Sequence, residues 1–343
     1  MKKKILILKN DRTGDLFVSH KALNRIFGKH QNDLITIYLS DINHKFNFIF
    51  PKIRHKIFPM NLNFFSKIKI LFDIITNRYS TIYILTPKNF YYYLAFIFRN
   101  IKFYGITIKL KNGNRPNAFF LKYLYKFVVI DRSQIKKRNS SYNIQESLIE
   151  KVSDQFFLNQ NPNVNHSYKF PKKFDLFHYK HALFNGLLKW SLEDTCKFIE
   201  NLKTKSEYLV FTSDIYNKEL NSFFSNKYNS FDFILNVEKN LNNKKLLFLK
   251  DVDGSNLFDL IKKSERIICP EGTMTHIGFF LKKDVIALMH FIIKSRENFI
   301  EQVVSCKEWF PPINYKFLVL KKDLSYSIKK ISNRLDIYYG KFD

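Results

Sequence analysis

The chain is 343 residues long and carries 57 Lys and Arg against 30 Asp and Glu, a formal charge of +27 at neutral pH, with 45% hydrophobic and 17% aromatic residues. That apolar fraction, with charge dispersed along the whole length, excludes a disordered basic tail and fits two domains of about 170 residues that each bury a core. A field of this sign draws anionic partners: nucleic acid, anionic lipid or nucleotide-linked substrates.

Short apolar runs alternate with helical periodicity from the start, the pattern of a layered α/β fold with a parallel sheet. Ile5–Leu8 reads as a buried strand. Lysines precede it, but Lys9-Asn10-Asp11-Arg12 cuts the apolar run after four residues, too short for a signal peptide. A turn holding Gly14 leads to a helix with Ala22, Leu23, Ile26 and Phe27 on one face, then to strand Leu34–Leu39. Strand Ile82–Leu85, helix Tyr91–Phe98 and strand Lys102–Gly105 follow; Asn112–Pro116 is a turn cluster, and Asn117–Val128 starts a new element. The stripe of Leu148, Ile149, Val152, Phe156 and Phe157 predicts a helix over Ile144–Phe157. Between Asn159 and Lys173 the composition turns to Asn, Pro, His, Ser and Lys, which places a domain boundary there. The expected organisation is an N-terminal domain over residues 1–165, a C-terminal domain over 166–320, and a helix and tail over 321–343.

The second series begins with strand Phe174–Phe177 and a helix over Leu192–Leu202, announced by Ser191 with Asp194 three residues on, close to a capping box. Strand Tyr208–Thr212, a weaker helix–strand stretch to Val237, strand Lys245–Leu249 and a helix that Ser255 caps come next. Strand Ile267–Cys269, helix Thr273–Leu281, strand Val285–Met289 and a helix over Leu324–Leu335 complete the series. No run reaches the roughly 18 apolar residues of a membrane span. Cys196, Cys269 and Cys306 lie too far apart for a CxxC metal or redox spacing, and the simplest compartment is a reducing cytoplasm.

In open parallel sheets, ligands bind beyond the carboxyl ends of the strands, so the first residues after each strand are the candidates. Three places stand out. Asp11-Arg12-Thr13-Gly14-Asp15 lacks the glycines of a dinucleotide fingerprint and the Gly-Lys-Ser/Thr of a phosphate loop. It offers a glycine for a tight turn and a carboxylate, Asp15, at the mouth of a helix, where it serves either as a cap or as an ionised base. Cys269-Pro270-Glu271-Gly272-Thr273-Met274-Thr275-His276 runs from strand to helix. There Gly272 admits a close ligand, the amides near Thr273 and Met274 form an anion seat, and the hydroxyls of Thr273 and Thr275 add hydrogen bonds. An ordinary strand–turn–helix connection with His276 packed inside fits the same pattern. Lys189-Trp190-Ser191 sets a cation and an aromatic before a capped helix.

In this order, the three places resemble the heptosyltransferase-like family 9 of bacterial glycosyltransferases. Ile5–Phe27 is similar to its opening strand, Gly-Asp turn and helix, Leu23 included. Phe174–Leu202 is similar to the start of its second domain, and Leu246–Met289 to its donor block. The resemblance implies a GT-B architecture: two Rossmann-like domains facing across a cleft, acceptor on the N-terminal side and nucleotide-sugar on the C-terminal side, with inversion at the anomeric carbon, no metal and no cofactor. It makes Asp15 the catalytic base with Thr13 and Gly14 as its supporting turn, Lys189 the lysine that meets the donor phosphates, and Glu271, Gly272, Thr273, Met274, Thr275 and His276 the donor-binding turn. The family's Asp-Thr/Ser-Gly stands here as Glu271-Gly272-Thr273, a departure that bears on sugar and base specificity.

ADP-heptose is then the first donor to try. The acceptor is a lipid-linked or phosphorylated glycan, such as lipopolysaccharide core, at the inner face of the cytoplasmic membrane, where the basic runs Lys102–Lys111 and Lys122–Lys137 meet anionic lipid. Two other readings stand beside this one. A nucleic-acid-binding protein satisfies the charge but shows no RNA-recognition, zinc-finger or KH-type motif. A non-catalytic GT-B binding module accounts for the altered turn but not for an intact Gly14-Asp15.

Overall fold

The computed structural model describes residues 2–50, 53–109, 118–131, 140–163, 171–213, 222–223, 226, 235–236, 245–249, 252, 254–291, 302, 308–310, 316–333 and 337–339. The turn cluster Asn112–Pro116, most of the stretch from Asp214 to Val237, Cys306 and parts of both basic runs lie outside them. The chain forms two compact units, Met1–Pro162 with Val304–Pro312, and Asn163–Val303 with Ile313–Asp343. The segment Val304–Pro312 thus groups with the first unit rather than with the second half of the sequence.

In the first unit, β1 (Lys4–Lys9), β2 (Leu34–Ser40), β3 (Arg54–Phe58), β4 (Thr81–Ile84), β5 (Lys102–Ile108) and β6 (Lys126–Ile130) form a parallel sheet in the order β3-β2-β1-β4-β5-β6. Parallel strands are covered on both faces, which is why KILILK and LITIYLS are almost unbroken apolar runs. The covering helices include α1 (Thr13–Val18), α2 (His20–Lys29), α3 (Phe64–Asn77), α4 (Asn89–Ile97), α5 (Ala118–Leu121) and α6 (Ser141–Glu146). Leu6, Leu8, Ile70, Ile74, Ile82, Ile84, Tyr91 and Leu94 interlock as one core. The order of the strands reverses between β1 and β4, and the crevice at their carboxyl ends is where ligands enter such sheets.

The second unit repeats the plan. It contains β7 (Phe174–His178), α7 (Leu192–Glu200), β8 (Tyr208–Thr212), β9 (Leu235–Asn236), β10 (Lys245–Leu249), β11 (Arg266–Pro270), β12 (Asp284–Met289), β13 (Lys316–Val319) and β14 (Ile337–Tyr339). The sheet order is β14-β13-β12-β11-β7-β8-β10-β9; the inner six strands are parallel, and β9 and β14 are antiparallel edges. Its strand order reverses between β7 and β11.

The expected elements form with small shifts, and three expectations are corrected. The helix over Ile144–Phe157 is short, Ser141–Glu146. Beyond it the chain runs irregularly beside α2: Asn24 accepts a hydrogen bond from the Phe157 amide and donates to the Gln155 carbonyl, and the Phe157 ring lies against Gly28. Ser255 does not cap the following helix, which begins at Gly254 with φ +51°. Gly14 sits inside α1 without a positive φ, so a tight turn is not what places a glycine there. The box at Ser191 forms, with Ser191 and Asp194 exchanging side-chain and backbone hydrogen bonds.

Candidate functional site

At the first switch point, the residues after β1 and β4 build a buried polar cluster. Lys9, almost fully enclosed, lies 2.6 Å from an Asp11 carboxylate oxygen that also accepts from the Thr86 hydroxyl at 2.9 Å. Ser40 donates to the Asp11 carbonyl at 2.6 Å, Asn43 to the Lys9 carbonyl at 2.9 Å, and Tyr91 to the Asn10 side chain at 2.5 Å. Burial pushes the Asp11 carboxyl up to about 6 against the pull of Lys9, and repulsion from Asp15 adds to the rise. Lys88, whose ammonium donates to the Asn10 and Met60 carbonyls, is lowered to about 8 by burial.

Asp15 is the third residue of α1 and half-buried. The helix cap is Arg12, so capping is not its role. Its carboxylate makes no hydrogen bond or ion pair with a described residue. A carboxylate without such a partner among the described residues is a candidate proton acceptor. Thr13 is buried.

At the second switch point, β11 ends at Pro270 and the helix Thr273–Phe280 begins after Glu271 and Gly272. Gly272 has φ +145°, a region that L side chains avoid, and a Cβ built on it falls 3.4 Å from the Lys180 ammonium. It caps the helix without a side chain, so the first-turn amides have no partner within the helix and present a partial positive charge. The first helical bond from this end is His276 N–H to the Gly272 carbonyl at 3.2 Å. Lys180, two residues beyond β7, donates to the Glu271 carbonyl at 3.3 Å. Seat and cation together suit a diphosphate. Beside them a cavity of about 210 Å³, walled by Lys180, Leu183, Pro270, Glu271, Leu288 and His290, has room for a phosphate group or a sugar ring.

The other residues of the turn divide. Thr275 is buried, its hydroxyl 3.3 Å from the Pro270 carbonyl and 3.4 Å from the Cys269 sulfur, so it is spent internally; Thr273 is partly exposed. His276 is buried, as is Met274, and the His276 imidazole stands 3.7 Å from the Glu271 carboxylate. That contact holds the Glu271 carboxyl below its ordinary range, with Lys180 contributing. His178, at the end of β7, lies 2.8 Å from the Thr212 hydroxyl and is pushed down to about 4 by burial and by Lys180.

Lys189 is exposed, has φ +62° and makes no hydrogen bond or ion pair with a described residue. The cation that the structure seats at the turn is Lys180, which the sequence reading passed over. The positional signal for it existed: it is among the first residues after a strand at a switch point. A larger cavity of about 540 Å³ opens at the amino ends of β1–β3, lined by Lys4, His30, Leu34, Arg54, Tyr79 and Phe157, and none of the residues above lines it. Among the described residues no group of three or more His, Cys, Asp or Glu is placed to hold a metal ion.

No family model matches the sequence, and no curated protein matches it significantly. Solved structures do match in fold over nearly the whole chain. A glycosyl transferase family 9 protein from Veillonella parvula DSM 2008 is 14% identical, with 99% of this chain and 92% of that chain covered at a TM-score of 0.60. The ADP-heptose lps heptosyltransferase II of E. coli is 13% identical, with 97% and 99% covered at 0.57. The UDP-GlcNAc 2-epimerase of Methanocaldococcus jannaschii is 14% identical, with 98% and 94% covered at 0.52. The fold is the one these structures share: two Rossmann-like α/β units of the GT-B kind.

Proposed function

We propose that the protein is an inverting glycosyltransferase of the heptosyltransferase-like family 9, working on a nucleoside diphosphate sugar without a bound metal. The observation that carries this reading is the anion seat of the second unit, where Gly272, the start of the helix Thr273–Phe280 and Lys180 converge at a switch point. The shared fold supports it, since the similar structures include proteins named for ADP-heptose and UDP-GlcNAc. ADP-heptose is the first donor to test. The acceptor is a lipid-linked or phosphorylated glycan of the lipopolysaccharide-core type at the cytoplasmic face of the membrane.

In this reaction an acceptor hydroxyl attacks the anomeric carbon as Asp15 takes its proton. The bond from that carbon to the diphosphate breaks, and the negative charge released on the leaving phosphate is met by Lys180 and the helix amides. Lys189, exposed and unpartnered among the described residues, is a second cation for the same phosphates. The two carboxyls on the first unit have different tasks: Asp15 is free to exchange protons with substrate, whereas Asp11 is held by Lys9 and Thr86.

A thermal-shift and calorimetric screen of nucleoside diphosphates and their sugars tests the proposal. A sugar nucleotide that raises the melting temperature through mass action, and whose binding fails in a Lys180→Ala variant, supports it. Absence of any nucleotide binding, alongside salt-sensitive DNA or RNA binding, refutes it.

A further inference from the structure

Between Asp73 and Asp131 the sequence has no acidic residue and nine Lys or Arg. In the fold this stretch supplies α4, α5 and the strands β4, β5 and β6, the last being the edge of the first sheet. The side chains left in solvent there are large and apolar: Tyr93, Phe96 and Ile97 (55% exposed) on α4, Phe119 (57%) on α5, Tyr125 (64%) before β6, and Phe127 and Val129 on β6. The rings of Tyr93, Phe96 and Phe119 join through Phe120 and Tyr123 in one network, while Tyr125 lies 5.2 Å from Tyr104. Phe120 lies 4.6 Å from Tyr93 and 5.2 Å from Phe119, and Phe96 lies 5.0 Å from Tyr123, all edge to face.

Cations rim the network and cover Tyr125. The Lys122 ammonium sits 3.8 Å above the Phe119 ring, the Arg99 guanidinium 5.0 Å from Phe96 and 5.2 Å from Tyr123, and the Lys102 ammonium 5.2 Å above Tyr125. Exposed apolar surface of this extent marks an interaction site. Rings and aliphatic side chains surrounded by Lys and Arg, with no carboxylate nearby in sequence, match the boundary of an anionic bilayer: acyl chains below, phosphates at the level of the rim. A single-stranded nucleic acid fits less well. Its bases need free ring faces, but Phe119, Phe96 and Tyr125 carry cations over theirs, and Ile97 and Val129 have no task against a base.

We infer that the face formed by α4, α5 and β6 docks on an anionic lipid surface, with Phe119, Tyr125 and Ile97 entering the headgroup boundary and Arg99, Lys102 and Lys122 meeting lipid phosphates. This names the membrane surface that the proposed acceptor requires, and so rests on that reading in one point. Its test involves no donor or acceptor, so the two can fail separately.

The intact protein is sedimented with vesicles of neutral phosphatidylcholine and with vesicles containing about 30% phosphatidylglycerol, at rising salt. Binding is expected only to the anionic vesicles. The variant Arg99→Gln, Lys102→Gln, Lys122→Gln should lose about a hundredfold in partitioning at low salt, from about fivefold per basic residue. The pair Phe119→Gln, Tyr125→Gln should lose binding that high salt does not equalise, and the circular dichroism of both variants should match that of the wild type. Equal binding to neutral vesicles, or an unchanged cation variant, overturns the inference. So does an RNA oligonucleotide that binds with the same dependence on Arg99, Lys102 and Lys122, or a concentration-dependent dimer that the Phe119→Gln, Tyr125→Gln pair dissolves.

Discussion

Asp11 and His178 occupy matching places in the two units, at or just beyond the ends of the first strands of their sheets, and burial displaces them in ways that give opposite dependences on pH. The Asp11 carboxyl rises from 3.8 to about 6. A raised carboxyl contributes stability that is fully present below its unfolded value and is lost as pH climbs through the folded one. At about 1.36 kcal/mol per pH unit, that interval amounts to about 3 kcal/mol when ionisation is complete, and about 1 kcal/mol of it returns between pH 7 and pH 5. The His178 imidazole falls from 6.5 to about 4. A lowered imidazole contributes stability that is present above its unfolded value and lost as pH falls, so the second unit gives up about 2 kcal/mol over the same two pH units.

Hydrogen exchange resolves the units separately, once intrinsic rates are corrected for pH. His30 in the first unit is lowered by burial and titrates against Asp11, so the readout is the difference between wild type and Asp11→Asn, in which His30 cancels. Lys9 loses its counter-charge in that variant, which lowers absolute stability but not the difference in slope. For core amides of β1 and β4, the change in protection between pH 7 and pH 5 should differ between the two proteins by about tenfold. For β7 and β8, wild type against His178→Gln should differ by roughly twentyfold, with the opposite sign. Indistinguishable slopes in wild type and Asp11→Asn would show that Asp11 titrates as an exposed carboxyl does, and would refute the placement of its charge in a buried cluster.

Three further outcomes follow from the two sites. Asp15→Asn should keep donor affinity and lose transfer by a factor of about 10² to 10⁴, measured as product formed per enzyme; wild-type turnover would remove Asp15 from the chemistry. Lys180→Ala should weaken nucleoside diphosphate binding by about tenfold or more in calorimetry, and a loss seen only in Lys189→Ala would assign the phosphates to Lys189 alone. Gly272→Ala, forced to φ +145° with its methyl against the Lys180 ammonium, should destabilise the second unit by about 1–3 kcal/mol and abolish diphosphate binding, while Gly186→Ala, which meets only a backbone oxygen at 3.7 Å, should do neither.

The fold was legible wherever burial imposed one period. The strands β1, β2, β8, β10 and β12 are nearly unbroken apolar runs because a parallel sheet covers both of their faces. The segment from Asp41 to Ser80 was not legible, for two physical reasons. The edge strand β3, RHKIF, exposes most of its side chains, so no apolar run marks it. In α3 the buried stripe is only Ser66, Ile70 and Ile74, while Phe64, Phe65, Phe72 and Ile75 stand in solvent, which erases the contrast between faces that periodicity needs.

The candidate site divides along a different line. Asp15 and the turn Glu271–His276 are candidates from the sequence because each lies in the segment that follows a strand, and the switch-point rule needs only the strand to be recognised. The same rule applied to β7 reaches Tyr179 and Lys180, whereas the role of Lys189 rests on the family resemblance of Lys189-Trp190-Ser191. That tryptophan is a core residue: it is buried, packs against Phe184 and Phe198, and donates to the Lys322 carbonyl at 2.8 Å. An aromatic beside a lysine signals packing as readily as binding, whereas position at the end of a first strand is tied to where a parallel sheet leaves its backbone amides open. The topological criterion adds Lys180, nearer β7 than Lys189, to the candidate cations at the turn.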